Sequence, residues 1–141
     1  MAAERLMREY RSFISNPCII GSVEPTDNLL VWKAYLNGPE DSPYEGGVFK
    51  LKLKFPGVYP MKPPEVVFKT KIFHANIQND GKICLSLFSD WRPTDNVLTV
   101  LLALNNMLAQ PNRDSAYVGD DLSERDYNKQ AKQWTKDYAR N

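Results

Sequence analysis

Cys84 is the residue of this chain best suited to covalent chemistry. A thiolate is a strong nucleophile toward an activated carbonyl. It stands in Gly81-Lys82-Ile83-Cys84-Leu85, downstream of Phe73-His74-Ala75-Asn76-Ile77. A histidine offers a general base, and an asparagine amide offers a donor to a developing oxyanion. Each residue also has a plainer reading. A free cysteine packs as a small hydrophobe, a lone histidine fixes a turn by hydrogen bonds, and a turn asparagine bonds its own backbone. No cysteine-protease signature surrounds Cys84, so a hydrolase in which His74 activates the thiol ranks last among the readings. Cys18, after Pro17 and before Ile19-Ile20, reads as a packing residue.

The same residue counts exclude other chemistry. Two cysteines and one histidine build no zinc cluster. A single disulfide between Cys18 and Cys84 stays open, whereas a disulfide-dense scaffold does not. The formal net charge of +1 gives no reason to expect nucleic acid or an anionic membrane as the main partner. No apolar run is long enough to span a bilayer. Met1 to Tyr10 carries Glu4, Arg5, Arg8 and Glu9 in place of the apolar core of a signal peptide. The expectation is a soluble intracellular chain, in the cytoplasm, the nucleus or both, without metal or cofactor and without ATP bound to it directly. At 141 residues, 43% hydrophobic and 25% charged, the composition fits one globular domain over 1–141.

The elements that must position these residues follow from periodicity. Ala3, Leu6, Tyr10, Phe13 and Ile14 recur at helical steps, which predicts an amphipathic helix over 2–15, stopped by Asn16-Pro17. Ile19 to Glu24 is a short strand. Leu30, Trp32, Ala34 and Leu36 alternate with Val31, Lys33 and Tyr35 in a second. In Val48 to Phe55, Phe49, Leu51, Leu53 and Phe55 share one face while Lys50, Lys52 and Lys54 share the other. A sheet with one wet face favours antiparallel pairing. A fourth strand falls at Glu65 to Lys69. Val97 to Ala109 is apolar nearly all round, a helix for the domain centre, started by Asp95 or Asn96 and followed by Pro111. Tyr127, Ala131, Trp134 and Tyr138 stripe a last helix that begins near Ser123, where Ser123 and Asp126 have capping-box spacing. Strands first and helices later is the α+β pattern.

Pro56 to Thr94 has far less regular periodicity. An irregular stretch of that length inside a compact domain is functional or disordered. Its content of Tyr59, Phe73, Ile77, Ile83, Leu87, Phe88 and Trp91 favours an ordered surface loop carrying the thiol.

The motif order carries a family resemblance. Gly38-Pro39 to Tyr44, Gly46-Gly47-Val48-Phe49, Tyr59-Pro60-x-x-Pro63-Pro64, His74-x-Asn76, Gly81-x-x-Cys84-Leu85, Trp91-x-Pro93 and Pro111-Asn112 together resemble the ubiquitin-conjugating enzymes, from Glu4 to about Tyr138. The likeness is to the compact members that consist of the catalytic core. It implies an amino-terminal helix, a four-stranded antiparallel meander, a long irregular active-site segment, a buried central helix and a carboxy-terminal helix. It also implies a thioester relay. Cys84 accepts the carboxy-terminal glycine of ubiquitin from the activating enzyme, and a substrate lysine or a ligase cysteine then takes it. Because the acyl donor is already activated, no strong base beside the thiol is required. Asn76 supplies an amide donor or shapes the loop that does, and His74 is structural. The incoming lysine must be neutral, which desolvation and a nearby acid help to arrange.

The resemblance also assigns surfaces. The first helix, with Arg5 and Arg8, meets the activating enzyme. Met61 and the Arg92-Pro93-Thr94 loop, with that helix, meet ligase domains. Leu87 and Leu102 pack the conjugated ubiquitin, although Leu102 is equally readable as a core residue and Arg5 and Arg8 as a solvated helix face. A monomer is expected, and a weakly active ubiquitin-binding scaffold or a carrier of another ubiquitin-like modifier are the alternatives.

Four departures from the family pattern stand out. Ala75 replaces the usual proline, and Ala75→Pro is expected to leave charging intact. Ser86 stands where an aspartate is common, in a stretch one residue short. Ser115, after Asp114, stands where many relatives have an acid beside the thiol. The connection from Pro111 to Tyr127 is about five residues short, so the family's short third helix is expected to be reduced or absent.

Overall fold

The computed structural model describes residues 1–83 and 85–140, with Leu85 described by its backbone alone. Helix α1 (Ala2–Ser15) turns Ala2 and Leu6 into the core, with Tyr10 and Phe13 packed against it. Ile14 departs from the predicted stripe and is 61% exposed, because the inward face runs Ala2, Leu6, Tyr10 and then takes a three-residue step to Phe13.

Four strands follow as a meander in the order β1-β2-β3-β4, each antiparallel to the next. They are β1 (Gly21–Pro25), β2 (Val31–Asn37), β3 (Val48–Lys54) and β4 (Glu65–Phe68). The register sets Trp32 opposite Leu53, Ala34 opposite Leu51 and Leu36 opposite Phe49, all buried. The alternate residues Lys33, Tyr35, Lys50, Lys52 and Lys54 lie on the other face. Side chains alternate across a strand, so this register puts the buried Trp32, Ala34, Leu36, Phe49, Leu51 and Leu53 on one side.

Helix α2 (Val97–Ala109) closes the core with Val97, Val100, Leu101, Leu104, Met107 and Leu108. It begins with a capping box. The Asn96 side chain accepts the Thr99 N–H, and the Thr99 hydroxyl accepts the Asn96 N–H. Asp95 instead bonds the Arg92 N–H through its carboxylate and is not the cap. The expectation of a helix buried all round is corrected on one side, since Leu98 and Leu102 are 40% and 47% exposed. The core is built on the opposite stripe, which leaves these two leucines partly open to solvent.

Between α2 and the last helix, only the three-residue 3₁₀ turn Arg113–Ser115 has helical geometry, as the short connection predicts. Helix α3 (Glu124–Trp134) is capped by Ser123, whose hydroxyl accepts the Asp126 N–H. Tyr127 and Ala131 are buried as expected, but the stripe then changes. A π-helical turn, Thr135–Ala139, follows. Its wider winding carries Thr135 and Ala139 inward and leaves Trp134 half-buried and Tyr138 exposed. Lys71 Nζ covers both rings, 4.7 Å from the Trp134 centroid and 4.9 Å from that of Tyr138. Among the described residues no helix is long and apolar enough to cross a membrane.

Candidate active site

Cys84 lies outside the described residues, so the site is built from its flanks. Gly81 shapes the entry to them. Its φ of +89° is open to glycine, and a Cβ there would sit 2.1 Å from the Phe68 carbonyl oxygen. Its own carbonyl accepts the Phe68 N–H, and its N–H donates to Gln78. The turn is thereby tied to the end of β4.

His74 is fully buried, with the Tyr44 ring 5.6 Å from its own. The Asn76 N–H donates to His74 Nδ1 at 3.0 Å, and His74 Nε2 lies 2.7 Å from the Met107 carbonyl oxygen. A nitrogen that accepts an N–H carries no proton, so Nε2 carries it and donates to α2. Burial lowers the His74 pKa to about 4 against a weaker opposing effect of the Met107 bond. Both ring nitrogens face backbone, and the ring is neutral near pH 7. It cannot take a proton from a thiol, so the hydrolase reading loses its base. The plain reading of His74, a turn fixed by hydrogen bonds, is what the geometry shows.

Asn76, also buried, reaches across to the turn after α2. Its Nδ2 donates to the Asn112 carbonyl at 2.9 Å and more weakly to that of Ser115 at 3.4 Å, while Oδ1 accepts the Asn112 N–H at 2.8 Å. Asn112 Oδ1 in turn accepts the Asp114 N–H. The Asn76 amide therefore holds Asn112–Ser115 in place. Asp114 and Ser115 are exposed on this turn, and Ser86 is exposed at the start of the 3₁₀ turn Leu85–Phe88.

Between His74 and Asn76, Ala75 uses the N–H that a proline would lack. It donates to the Tyr127 hydroxyl of α3 at 2.7 Å in a buried setting. Tyr44 donates to the Phe73 carbonyl. Its burial, and secondarily the neighbouring Tyr127, push its pKa well up. Arg113 anchors the other side of the loop, donating to the carbonyls of Gly119 and Leu122 at 2.6 Å each and stacking 4.6 Å from the Tyr127 centroid. Sequence reasoning singled out neither Arg113 nor the Ala75–Tyr127 bond. The Pro111-Asn112 motif, Asp114 and Ser115 drew attention to this loop, but none of them pointed to Arg113 or Tyr127.

The residues expected to meet ligases come together. Trp91 Nε1 donates to the Pro60 carbonyl, joining the 91–95 loop to the Met61 loop. Tyr59 donates to Glu9 Oε2 at 2.6 Å, joining the Met61 loop to α1. Arg5 donates to the carbonyls of Asp95 at 2.9 Å and Pro93 at 3.4 Å. Met61, Arg92, Pro93 and Thr94 are exposed on the resulting surface, and Arg8 is exposed on α1. Arg5 departs from the expectation of an outward-facing contact, because its guanidinium is engaged by Glu9 and the 93–95 backbone. Glu9, which the sequence showed only as one of several helix charges, is the hub. Its Oε1 also accepts the Val97 N–H at the start of α2, at 2.7 Å, where a helix favours negative charge. Leu87 is half-buried against the core, whereas Leu102 stands out from α2 and is not a core residue.

Cys18 is a free thiol, partly buried. Among the described residues no group of three or more His, Cys, Asp or Glu side chains could hold a metal ion.

The comparisons with known proteins agree with this construction. The family model described as "Ubiquitin-conjugating enzyme" matches residues 5–140. The Arabidopsis thaliana protein named "Probable ubiquitin-conjugating enzyme E2 31" is 42% identical over 118 residues, which cover 83% of this chain and 77% of that relative. A capped helix, a four-stranded meander and a turn after the central helix held by Asn76 thus belong to a chain of the ubiquitin-conjugating enzyme family.

Proposed function

We propose that the chain carries ubiquitin as a thioester on Cys84, received from the activating enzyme and passed to a substrate lysine or a ligase cysteine. The observation that carries this reading is the brace beside the thiol segment. A neutral buried His74 fixes the Asn76 backbone, and the Asn76 side chain fixes the turn Asn112–Ser115. A nucleophile that meets an already activated acyl group needs a rigid, polar surround more than it needs a base.

In the first transfer the Cys84 thiolate adds to the thioester carbonyl and the activating enzyme's thiolate leaves. In the second, an amine or thiolate adds to the same carbonyl, the Cys84 thiolate leaves, and a proton departs from the nitrogen where the nucleophile is an amine. Asn76 acts as a positioning residue for the loop that faces the developing oxyanion. The exposed Asp114 supplies the acid of that loop in place of Ser115. With Ser86 and Ser115 at positions where relatives carry acids, reaction with free lysine is slow and transfer to a ligase cysteine is favoured. The surface formed by Met61, Arg92, Pro93 and Thr94 beside α1 receives the ligase, and Leu102 is available to pack the carried ubiquitin.

Incubation with activating enzyme, ATP and ubiquitin tests the reading. An adduct that thiols reverse is expected, converted to a thiol-resistant ester in Cys84→Ser and absent in Cys84→Ala. An adduct that survives Cys84→Ala overturns it. Adducts with a different ubiquitin-like protein but not with ubiquitin assign the carrier to that modifier.

A further inference from the structure

A groove of about 1020 Å³ runs between the Asp41–Glu45 turn and the outer face of α3 and its π-helical extension. Arg125, Lys129, Lys132 and Lys136 follow one another along its helical wall at three- and four-residue steps, all exposed. Arg140 closes one end by donating to the Glu45 carbonyl at 2.7 Å. The facing turn contributes Asp41 and Glu45. Neither carboxylate reaches a cation, since the side-chain ion pair among the described residues is Arg5–Glu9, and Glu45 Oε1 accepts the Asp41 N–H instead.

Like charges at these spacings repel. The helix dipole favours Lys132 and Lys136 near its carboxy-terminal end but opposes Arg125 in the first turn. Something other than helix stability therefore accounts for the full row. The row from 125 to 136 spans roughly 16 Å at the helical rise, the reach of about five residues of extended chain. A second cavity continues the groove. It shares Asp41, Ser42, Pro43 and Asn128 with the first and reaches Pro111 and Arg113, at the turn that Asn76 holds.

We propose that this groove is a docking site for an acidic, extended segment of a partner protein, bound by the side chains of Arg125, Lys129, Lys132 and Lys136. Charge complementarity names the occupant: carboxylates on alternate residues of an extended chain repeat about every 6.6 Å, against about 5.5 Å between successive cations along the helix, a difference that the long Lys and Arg side chains span. Asp41 and Glu45 on the facing wall repel any anion, so the segment lies along the helical wall of cations, and the whole chain's charge of +1 adds no general pull on a polyanion. Continuity with the cavity at Pro111 and Arg113 leads such a segment toward the Asn112–Ser115 turn.

Fluorescence anisotropy tests the proposal without reference to thioester chemistry, using Cys84→Ala protein and a labelled twelve-residue peptide of alternating Glu and Ser. The expected result is saturable binding that weakens about tenfold in Lys129→Glu/Lys132→Glu/Lys136→Glu and that falls with rising salt. Lys52→Glu/Lys54→Glu on the open face of the sheet should leave it unchanged. Circular dichroism of both variants checks that they are folded. Absence of saturable binding, equal loss in the sheet variant, or tighter binding of a twelve-nucleotide oligothymidylate than of the peptide overturns the proposal. Charging of the wild-type chain is read separately, so failure here leaves the thioester reading standing.

Discussion

The Asn76 side chain and the Asn112 backbone bond each other in both directions, Oδ1 accepting the Asn112 N–H at 2.8 Å and Nδ2 donating to the Asn112 carbonyl at 2.9 Å. One amide thus fixes the two peptide groups that flank Asn112, 36 residues away, and with them the turn that bears Asp114 and Ser115. Asn76→Ala leaves the Asn112 N–H and two carbonyls without their partner, which costs about 1–3 kcal/mol in urea unfolding. Hydrogen exchange of the Asn112 amide should accelerate, and transfer from the charged enzyme should fall more than charging does. Unchanged Asn112 exchange in a folded Asn76→Ala protein argues against the positioning role.

Ala75 donates its N–H to the Tyr127 hydroxyl. Proline at that position removes the donor and pushes its ring Cδ against the Tyr127 hydroxyl, so the structure adds a cost to a substitution that family likeness alone presents as harmless. Ala75→Pro should lower stability by about 1–3 kcal/mol while the folded fraction still charges. Tyr127→Phe should lose the same bond, so the double variant should cost less than the sum of the two. Strict additivity in that cycle would separate the two residues energetically.

The strands were readable because β2 and β3 alternate with a period of two and one face is entirely apolar. The register was then forced, since a slip of one residue would expose Trp32, Leu51 and Leu53. The helices were readable to within their faces only. A count of apolar residues in α2 cannot tell that Leu98 and Leu102 stay partly open to solvent, and the Tyr127–Tyr138 stripe assumes a winding that the π-helical turn breaks. In the site, His74 and Asn76 stand in a local motif, and their residue types already suggest turn-fixing bonds. Their partners do not. Met107, Asn112 and Tyr127 meet them through chain closure, and Glu9 joins Val97 across 88 residues. Side-chain type alone carries no signal for such pairs.

Glu9 accepts from Arg5, from the Tyr59 hydroxyl and from the Val97 N–H, so one carboxylate joins α1, the Met61 loop and the start of α2. Burial first, and then the Glu9 bond, hold the Tyr59 pKa well above its usual value, which keeps that hydroxyl a donor. Glu9→Ala strands the Tyr59 hydroxyl and the Val97 N–H and leaves Arg5 without its partner, a loss of about 2–4 kcal/mol by chemical denaturation. Glu9→Gln retains an acceptor oxygen and should fall between the variant and the wild type. Arg5→Ala, which releases the 93–95 backbone, should weaken ligase binding more than it lowers stability. Wild-type ligase affinity in Arg5→Ala would show that the loop holds its shape unaided.

His74 is the single histidine of the chain, and its pKa falls from 6.5 to about 4 on folding. The unfolded chain therefore binds a proton more readily than the native one between those values, and stability drops as pH falls through that window. Above pH 6.5 the stabilisation is fully present. Below about pH 4 it is gone, a loss of about 3 kcal/mol for a shift of this size. His74→Gln removes this titration, so the difference between the two pH profiles over that window belongs to His74. The variant, which keeps an amide donor for the Met107 carbonyl, should be less stable at pH 7 and should lose that part of the slope. The measurement is urea unfolding at half-unit steps. A wild-type slope retained in His74→Gln would move the titration to another group.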